Sequence, residues 1–218
     1  MFNFNGKFNK TRFYKILVIC IASALANWIL SHFVFSAARL PLYLDTVFTA
    51  AVCFSLGLVP GLITGPVLGL ATTLIRYHFI LGQIELAWAS AWFTLCIVAE
   101  VVLICLFHKK LLASHEAPFL AKPSFSVFMS TTPLLLSLAA LACIVVSLSG
   151  GIIDFALTQY STPRPIFPED TFKLGLLRNN VPVLTSAILS RFPINIVDRF
   201  FVIFGGYGVS LLYRKWLR

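Results

Sequence analysis

The sequence predicts an all-α integral membrane protein, a six-transmembrane-helix bundle with both termini cytoplasmic. Three observations carry this. Six apolar runs, Phe13 to Phe35, Tyr43 to Leu58, Gly61 to Ile80, Leu86 to Phe107, Val127 to Leu148 and Ile194 to Leu212, come near the roughly 20 residues that cross a hydrocarbon core of about 30 Å. Hydrophobic residues make up 59% of the chain and charged residues 11%, with a mean hydropathy of +0.90, which excludes a soluble core. The basic residues cluster at the ends of the runs. With the N-terminus inside, ten of the 17 Lys and Arg face the cytoplasm, among them Lys7, Lys10, Lys109, Lys110, Arg214 and Lys215. The other seven, Arg39, Arg76, Arg164, Lys173, Arg178, Arg191 and Arg199, face outward beside six acidic residues. This positive-inside pattern places a multi-pass protein in the cytoplasmic (inner) membrane.

The net charge of +9 is thus a topology signal, and the expected partner is the lipid bilayer, with no nucleic acid. Cys20, Cys53, Cys96, Cys105 and Cys143 all fall within apolar runs and form no CxxC, and the four histidines form no HxxxH. These cysteines pack as small hydrophobes; no metal site and no cofactor is expected.

The chain reads as one membrane domain, 1–218. Residues 1–12 are a basic interfacial arm for anionic lipid. The first run is too long for a signal-peptide core and lacks a small-residue cleavage site followed by a soluble domain, so it is expected to be retained. Within it Ala22 and Ala26 form a small-residue strip where another helix can approach, and packing inside the molecule would use it equally well. Pro41 closes the first connection, and Asp45 or Thr46 is placed to cap the second helix. Gly57 to Gly61, with Pro60, turns the chain into an antiparallel hairpin. Gly61, Gly65 and Gly69 then line one face of the third helix for close packing; no Gly-Lys-Ser/Thr follows, so this is not a nucleotide loop.

Arg76, Tyr77, His78, Glu85 and Trp88 gather at the outer surface, as an interfacial aromatic belt with a snorkelling arginine or as one wall of a solute pocket. Glu100 falls in the inner half of the bilayer, where a carboxylate is costly and is either functional or protonated and bonded to a neighbouring helix. The fifth helix is expected to end at Gly150-Gly151. Residues 153–193, rich in proline and mixed charge, then form a long extracytoplasmic loop suited to a lid. Inside that loop Glu169-Asp170-Thr171 starts a short helix that lays Phe172, Leu174, Leu176 and Leu177 along the membrane surface. The last helix begins near Ile194, with Asn195, Asp198 and Arg199 in its first turns. Adjacent helical residues do not face each other, so Asp198 and Arg199 should each find partners elsewhere, Asp198 on Arg39 or Arg191 and Arg199 on Asp45 or Asp154. The stretches Leu40-Pro41 to Asp45 and Phe192-Pro193 to Asp198 look alike, a weak sign of an internal repeat.

Together the Ala22/Ala26 strip, Leu-Pro41-Leu-Tyr-Leu-Asp45-Thr, the Pro60-Gly61 to Gly69 hairpin and Pro193-Ile-Asn195-Ile-Val-Asp198-Arg199 resemble the S component, the substrate-binding membrane subunit, of an energy-coupling factor (ECF) type ABC transporter. The resemblance covers most of the chain. It implies capture of a vitamin-like small molecule at the outer face, followed by engagement of an ECF T subunit and two cytoplasmic ATPases. Ala22 and Ala26 would meet the T subunit, and ATP hydrolysis would topple the subunit to release its ligand inside. The N-terminal histidine set of cobalt and nickel members is absent.

The residues themselves suggest a substrate-binding set of Arg76, Tyr77, Glu85, Trp88, Asn195, Asp198 and Arg199, with Asp45 at the rim. Arg76 and Arg199 would hold an acidic or carbonyl group, Tyr77 and Trp88 would stack on a ring, and Asn195 would orient it. On this reading alanine at Arg199 or Trp88 abolishes binding and spares the fold. An enzyme is not expected, because no nucleophile, acid or metal set converges at one membrane face. The alternative function is a membrane sensor domain working with a separate signalling partner.

Overall fold

The computed structural model describes residues 10–34, 42–80, 82–115, 125–159 and 169–217. Among them the regular elements are α1 (Lys10–His32), α2 (Val47–Leu56), α3 (Leu58–Leu62), a π-helical stretch (Ile63–Val67), α4 (Leu68–Leu74), a second π-helical stretch (Ile75–Ile80), α5 (Ile84–Trp92), α6 (Thr94–His115), α7 (Phe125–Gln159), α8 (Asp170–Arg178), α9 (Val183–Leu189) and α10 (Phe192–Leu217). Four stretches, Lys10–His32, Ile84–His108, Thr131–Gln159 and Val183–Leu217, are long and apolar enough to cross a membrane; Val47–Leu56 and Leu58–Leu74 are shorter apolar helices. The protein is therefore helical and of membrane type. Its exterior is as apolar as its core: Val18, Ile21, Leu25 and Ile29 of α1 are all exposed.

A helix that is apolar all round belongs at a centre, and α2 is that helix. Ala50, Ala51, Val52, Cys53 and Phe54 are fully buried; Ala50, Cys53 and Phe54 pack with Val101 and Ile104 of α6, Leu138 of α7, and Val202 and Ile203 of α10, and Val52 packs with Ile19 and Cys20 of α1. Its start is held from α1: Asn27 accepts the Phe48 N–H at 2.9 Å and donates to the Thr49 hydroxyl at 2.9 Å, satisfying one of the amides that a helix start leaves unpaired. The capping expected of Asp45 or Thr46 is not what occurs. Thr46 is the cap residue, but its hydroxyl accepts a hydrogen bond from Arg199 and makes none to the helix backbone.

A close approach of α2 to α10 occurs at Gly206. A Cβ there would lie 2.6 Å from Ala50 Cβ and 2.9 Å from the Val47 carbonyl oxygen. Gly206→Ala is expected to force the helices apart and cost about 1–3 kcal/mol, read as a lower thermal midpoint in detergent. Gly208→Ala, where a Cβ meets nothing within 4 Å, should leave that midpoint unchanged.

Gly57 (φ +89°) makes the turn into α3 with a conformation open mainly to glycine. Of the three glycines that follow, two pack as their spacing suggests. A Cβ at Gly61 would lie 2.5 Å from Cys53 Sγ, and one at Gly65 would lie 2.7 Å from Thr49 Cγ2. Gly69 meets nothing within 4 Å, because it faces a cavity.

The second half of the chain departs from the expected layout. Gly150 and Gly151 do not end a helix; α7 runs through them to Gln159. They are glycines because α7 passes other chain there: a Cβ at Gly150 would lie 2.8 Å from Arg191 Nη1, and one at Gly151 would lie 2.7 Å from Ile188 Cα. The described part of 153–193 is accordingly mostly helix, namely the end of α7, α8 and α9, and not a long loop. The short helix starting at Asp170 is present, with Phe172 and Leu174 exposed.

The two chain ends described lie together. Ser23 Oγ of α1 is 2.8 Å from the Tyr213 hydroxyl of α10, and the Lys15 ammonium sits 5.3 Å from the Trp216 ring centroid. Residues 1–9 of the basic arm, Arg39, Pro41 and Arg164 fall outside the described residues.

Candidate functional site

At the opposite end of the bundle the described residues enclose a cavity of about 340 Å³, toward the lower end of the range for small-molecule sites. The end of α1, the segment before α2, the Gly65 to Arg76 stretch, the α5–α6 junction and the start of α10 all contribute walls. Much of the lining is hydroxyl: Thr46, Thr49, Thr64, Thr72, Thr73, Ser90 and Thr94, with Trp28 and Phe93 as aromatic faces.

Arg199 is the hub of the site. Its Nη1 lies 2.5 Å from Glu100 Oε2 and 3.0 Å from Thr46 Oγ1, and its Nη2 lies 2.5 Å from Asp198 Oδ2 and 3.7 Å from Asp45 Oδ1. Glu100, Asp198 and Arg199 are 1%, 0% and 4% exposed, so the charges hold one another away from water. The other Asp198 oxygen accepts the N–H groups of Tyr43 and Leu44 at 2.9 and 2.8 Å. Leu44 has a left-handed backbone (φ +45°), a conformation that persists in a non-glycine residue only where its surroundings fix it.

The expectation that Asp198 and Arg199 cannot meet is therefore corrected. Their backbones point apart, but the long arginine side chain curls back far enough to reach the carboxylate. Arg199 does reach Asp45, as expected, and not Asp154, which pairs with Lys173 at 2.7 Å.

A second cluster flanks the first. Arg191 pairs with Glu169 at 2.9 Å, Glu169 also accepts the Tyr43 hydroxyl, and the Arg191 guanidinium lies 5.2 Å from the Phe93 ring centroid. With Lys173–Asp154 it ties α8 to α7 and to the segment before α2. Glu169→Gln should loosen α8, with amide exchange over 170–178 accelerating about tenfold or more in hydrogen-exchange mass spectrometry.

Of the sequence-predicted residues, Asp45, Arg76, Asn195 and Arg199 line the cavity, and Asp198 lies directly behind Arg199. Asn195 donates to Ser147 Oγ at 2.9 Å, which joins α10 to α7. Glu85 and Trp88 do not line the cavity. Both are exposed on α5, Trp88 at 64%, where a stacking role has no partner within the bundle. The Tyr77 side chain is outside the described residues. The terminal nitrogens of Arg199 are engaged by the protein's own carboxylates. Ala22 is exposed and Ala26 half-buried on α1, beside the exposed Val18, Ile21 and Leu25.

Glu100, Arg191, Ser90 and the threonines were not in the predicted set. Glu100 had a signal, its cost as an intramembrane carboxylate. Counting depth along an unbroken helix put it too far from the site; the break at Phe93 between α5 and α6 and the convergence of α10 bring it to the cavity wall. Among the described residues no group of three or more His, Cys, Asp or Glu could hold a metal ion.

No protein-family model matches the sequence, and no curated protein and no solved structure matches it.

Proposed function

We propose that the protein is a solute-binding membrane subunit, the S component of an ECF-type uptake transporter, crossing the cytoplasmic membrane six times with both termini inside and the cavity open outward. The observation that supports this best is the cavity, walled by hydroxyl, charged and aromatic groups at the end of the bundle away from Lys15 and Trp216. Below it, among the described residues, Phe54, Val101, Ile104, Leu138 and Ile203 pack into an apolar core, which suits a subunit that binds a solute more than one that conducts it. Delivery of a solute then needs motion of the whole subunit, driven by partners. The exposed face of α1 around Ala22 and Ala26 suits contact with a T subunit, which would join two ATPases. The fifth and sixth crossings are α2 and the Leu58–Leu74 stretch. At 1.5 Å per residue α2 is only about 15 Å long, which requires a locally thinned bilayer or flanking residues that reach the interface.

The test is recovery of the protein from its own membranes in mild detergent and identification of what comes with it. A transmembrane T subunit and ATPases, lost on Ala22→Leu with Ala26→Leu, are expected. A histidine kinase or cyclase in their place would support the sensor reading instead.

A further inference from the structure

We infer that the ligand of this cavity is an organic cation, an amine, amidine or protonated nitrogen ring, held by Asp45 and Glu100. This rests on reading the cavity as a solute site and names the chemistry of what fills it.

Two observations carry it. The first is charge balance. Among the described residues on the wall or directly behind it are three guanidiniums, Arg76, Arg191 and Arg199, and four carboxylates, Asp45, Glu100, Glu169 and Asp198. Glu169 is paired with Arg191, while Glu100 and Asp198 both hold Arg199 at 2.5 Å. Among the described residues the guanidinium that Asp45 pairs with is the same Arg199, at 3.7 Å, beyond hydrogen-bond distance. Counting Arg, Asp and Glu, one negative charge is in excess, and it falls to Asp45.

The second observation is where the unmet atoms lie. Oδ1 of Asp45, Oε1 of Glu100 and Oγ of Ser90 are buried without a hydrogen-bond partner, and all three residues line the cavity. The Glu100 side chain is 2% exposed, so this oxygen has no access to bulk water. The Asp45 side chain as a whole is 42% exposed and borders the cavity, although Oδ1 itself is enclosed, so a solute meets the carboxylate first and reaches Oδ1 by a small turn of that side chain. Two carboxylate oxygens without donors ask for a ligand that brings N–H groups and positive charge. The Arg199 Nε is a buried donor also without a hydrogen bond, which suits a ligand with one acceptor beside its cationic head. An anion would meet Asp45 and Glu100 with its charge unscreened. Arg76 is exposed at the mouth, where solvent and salt weaken its opposing field.

The test uses the full chain in lipid nanodiscs, freed of co-purified solute, with benzamidine, benzamide and benzoate as probes that share a ring and differ in charge. Benzamidine at millimolar concentration is expected to raise the thermal midpoint by a few degrees, and benzamide and benzoate to leave it in place. Asp45→Asn should weaken the benzamidine effect about tenfold; Glu100→Gln provides a second reading should the first variant not fold. A shift by benzoate or benzamide equal to that of benzamidine overturns the inference, as does a benzamidine shift that survives both substitutions or no shift by any probe. The solute-site reading is judged apart from this, by whether a probe's shift disappears in Gly69→Phe. A benzoate shift lost in that variant would leave the site standing and remove only the cation.

Discussion

Arg199→Ala should yield almost no folded protein. The side chain is shared by Glu100, Asp198 and Asp45, and its loss strands two carboxylates that are essentially without solvent. Breaking a buried charge cluster by removing one partner costs about 3–5 kcal/mol, a large share of the about 5–15 kcal/mol that holds a typical domain together. Asp198 also organises the chain before α2 through the Tyr43 and Leu44 amides, so the disturbance would spread to the cavity mouth. The measurement is the monodisperse fraction and thermal midpoint in detergent, with Arg199→Lys as a control that keeps the charge, loses the forked geometry and should fall between wild type and alanine. A well-folded Arg199→Ala protein that merely fails to bind solute would return this residue to the role the sequence first suggests, that of a ligand contact.

The second large effect is expected at Gly69, and it runs the other way: fold kept, binding lost. Gly69 lines the cavity from α4, and a Cβ there meets no atom within 4 Å. Gly69→Phe starts from a Cβ that touches no protein atom and is expected to place its ring in a space of about 340 Å³. Replacing a mid-helix glycine also removes a conformational penalty of about 0.8–1.0 kcal/mol relative to alanine, less whatever the new side chain's own propensity costs. The variant should keep its thermal midpoint to within a few degrees and lose solute affinity by a hundredfold or more, in the order-of-magnitude sense of a blocked site. Gly65→Phe, at a position that also borders the cavity but where a Cβ would already lie 2.7 Å from Thr49, should fail to fold and marks the difference between a glycine held by a neighbouring helix and one that is not.

That difference was not legible in the sequence. Gly61, Gly65 and Gly69 share a spacing, and only the path of the neighbouring helices decides which of them has a neighbour. Membrane character was plain from the apolar runs, because a bilayer sets a length that the sequence must meet. Cavity residues at helix starts were also legible: Asp45, Asn195 and Arg199 follow turn signals that bound their helices. Trp88 was misleading since a tryptophan near a helix end suits a lipid interface as well as a pocket, and it is exposed on the outside of the bundle. The length of α7 was hidden for a related reason, as Gly150-Gly151 reads locally as a stop and is in fact a crossing point for Arg191 and Ile188. The pairing of Asp198 with Arg199 shows the limit of helical-wheel reasoning where one partner is an arginine whose reach exceeds a helical turn.

The most direct measurement is native mass spectrometry of the wild-type and Gly69→Phe proteins, released gently from the same membranes. A small-molecule adduct on the wild type that is missing from the variant is the expected result. Equal adducts on both proteins, or none on the wild type, would contradict a solute site in this cavity.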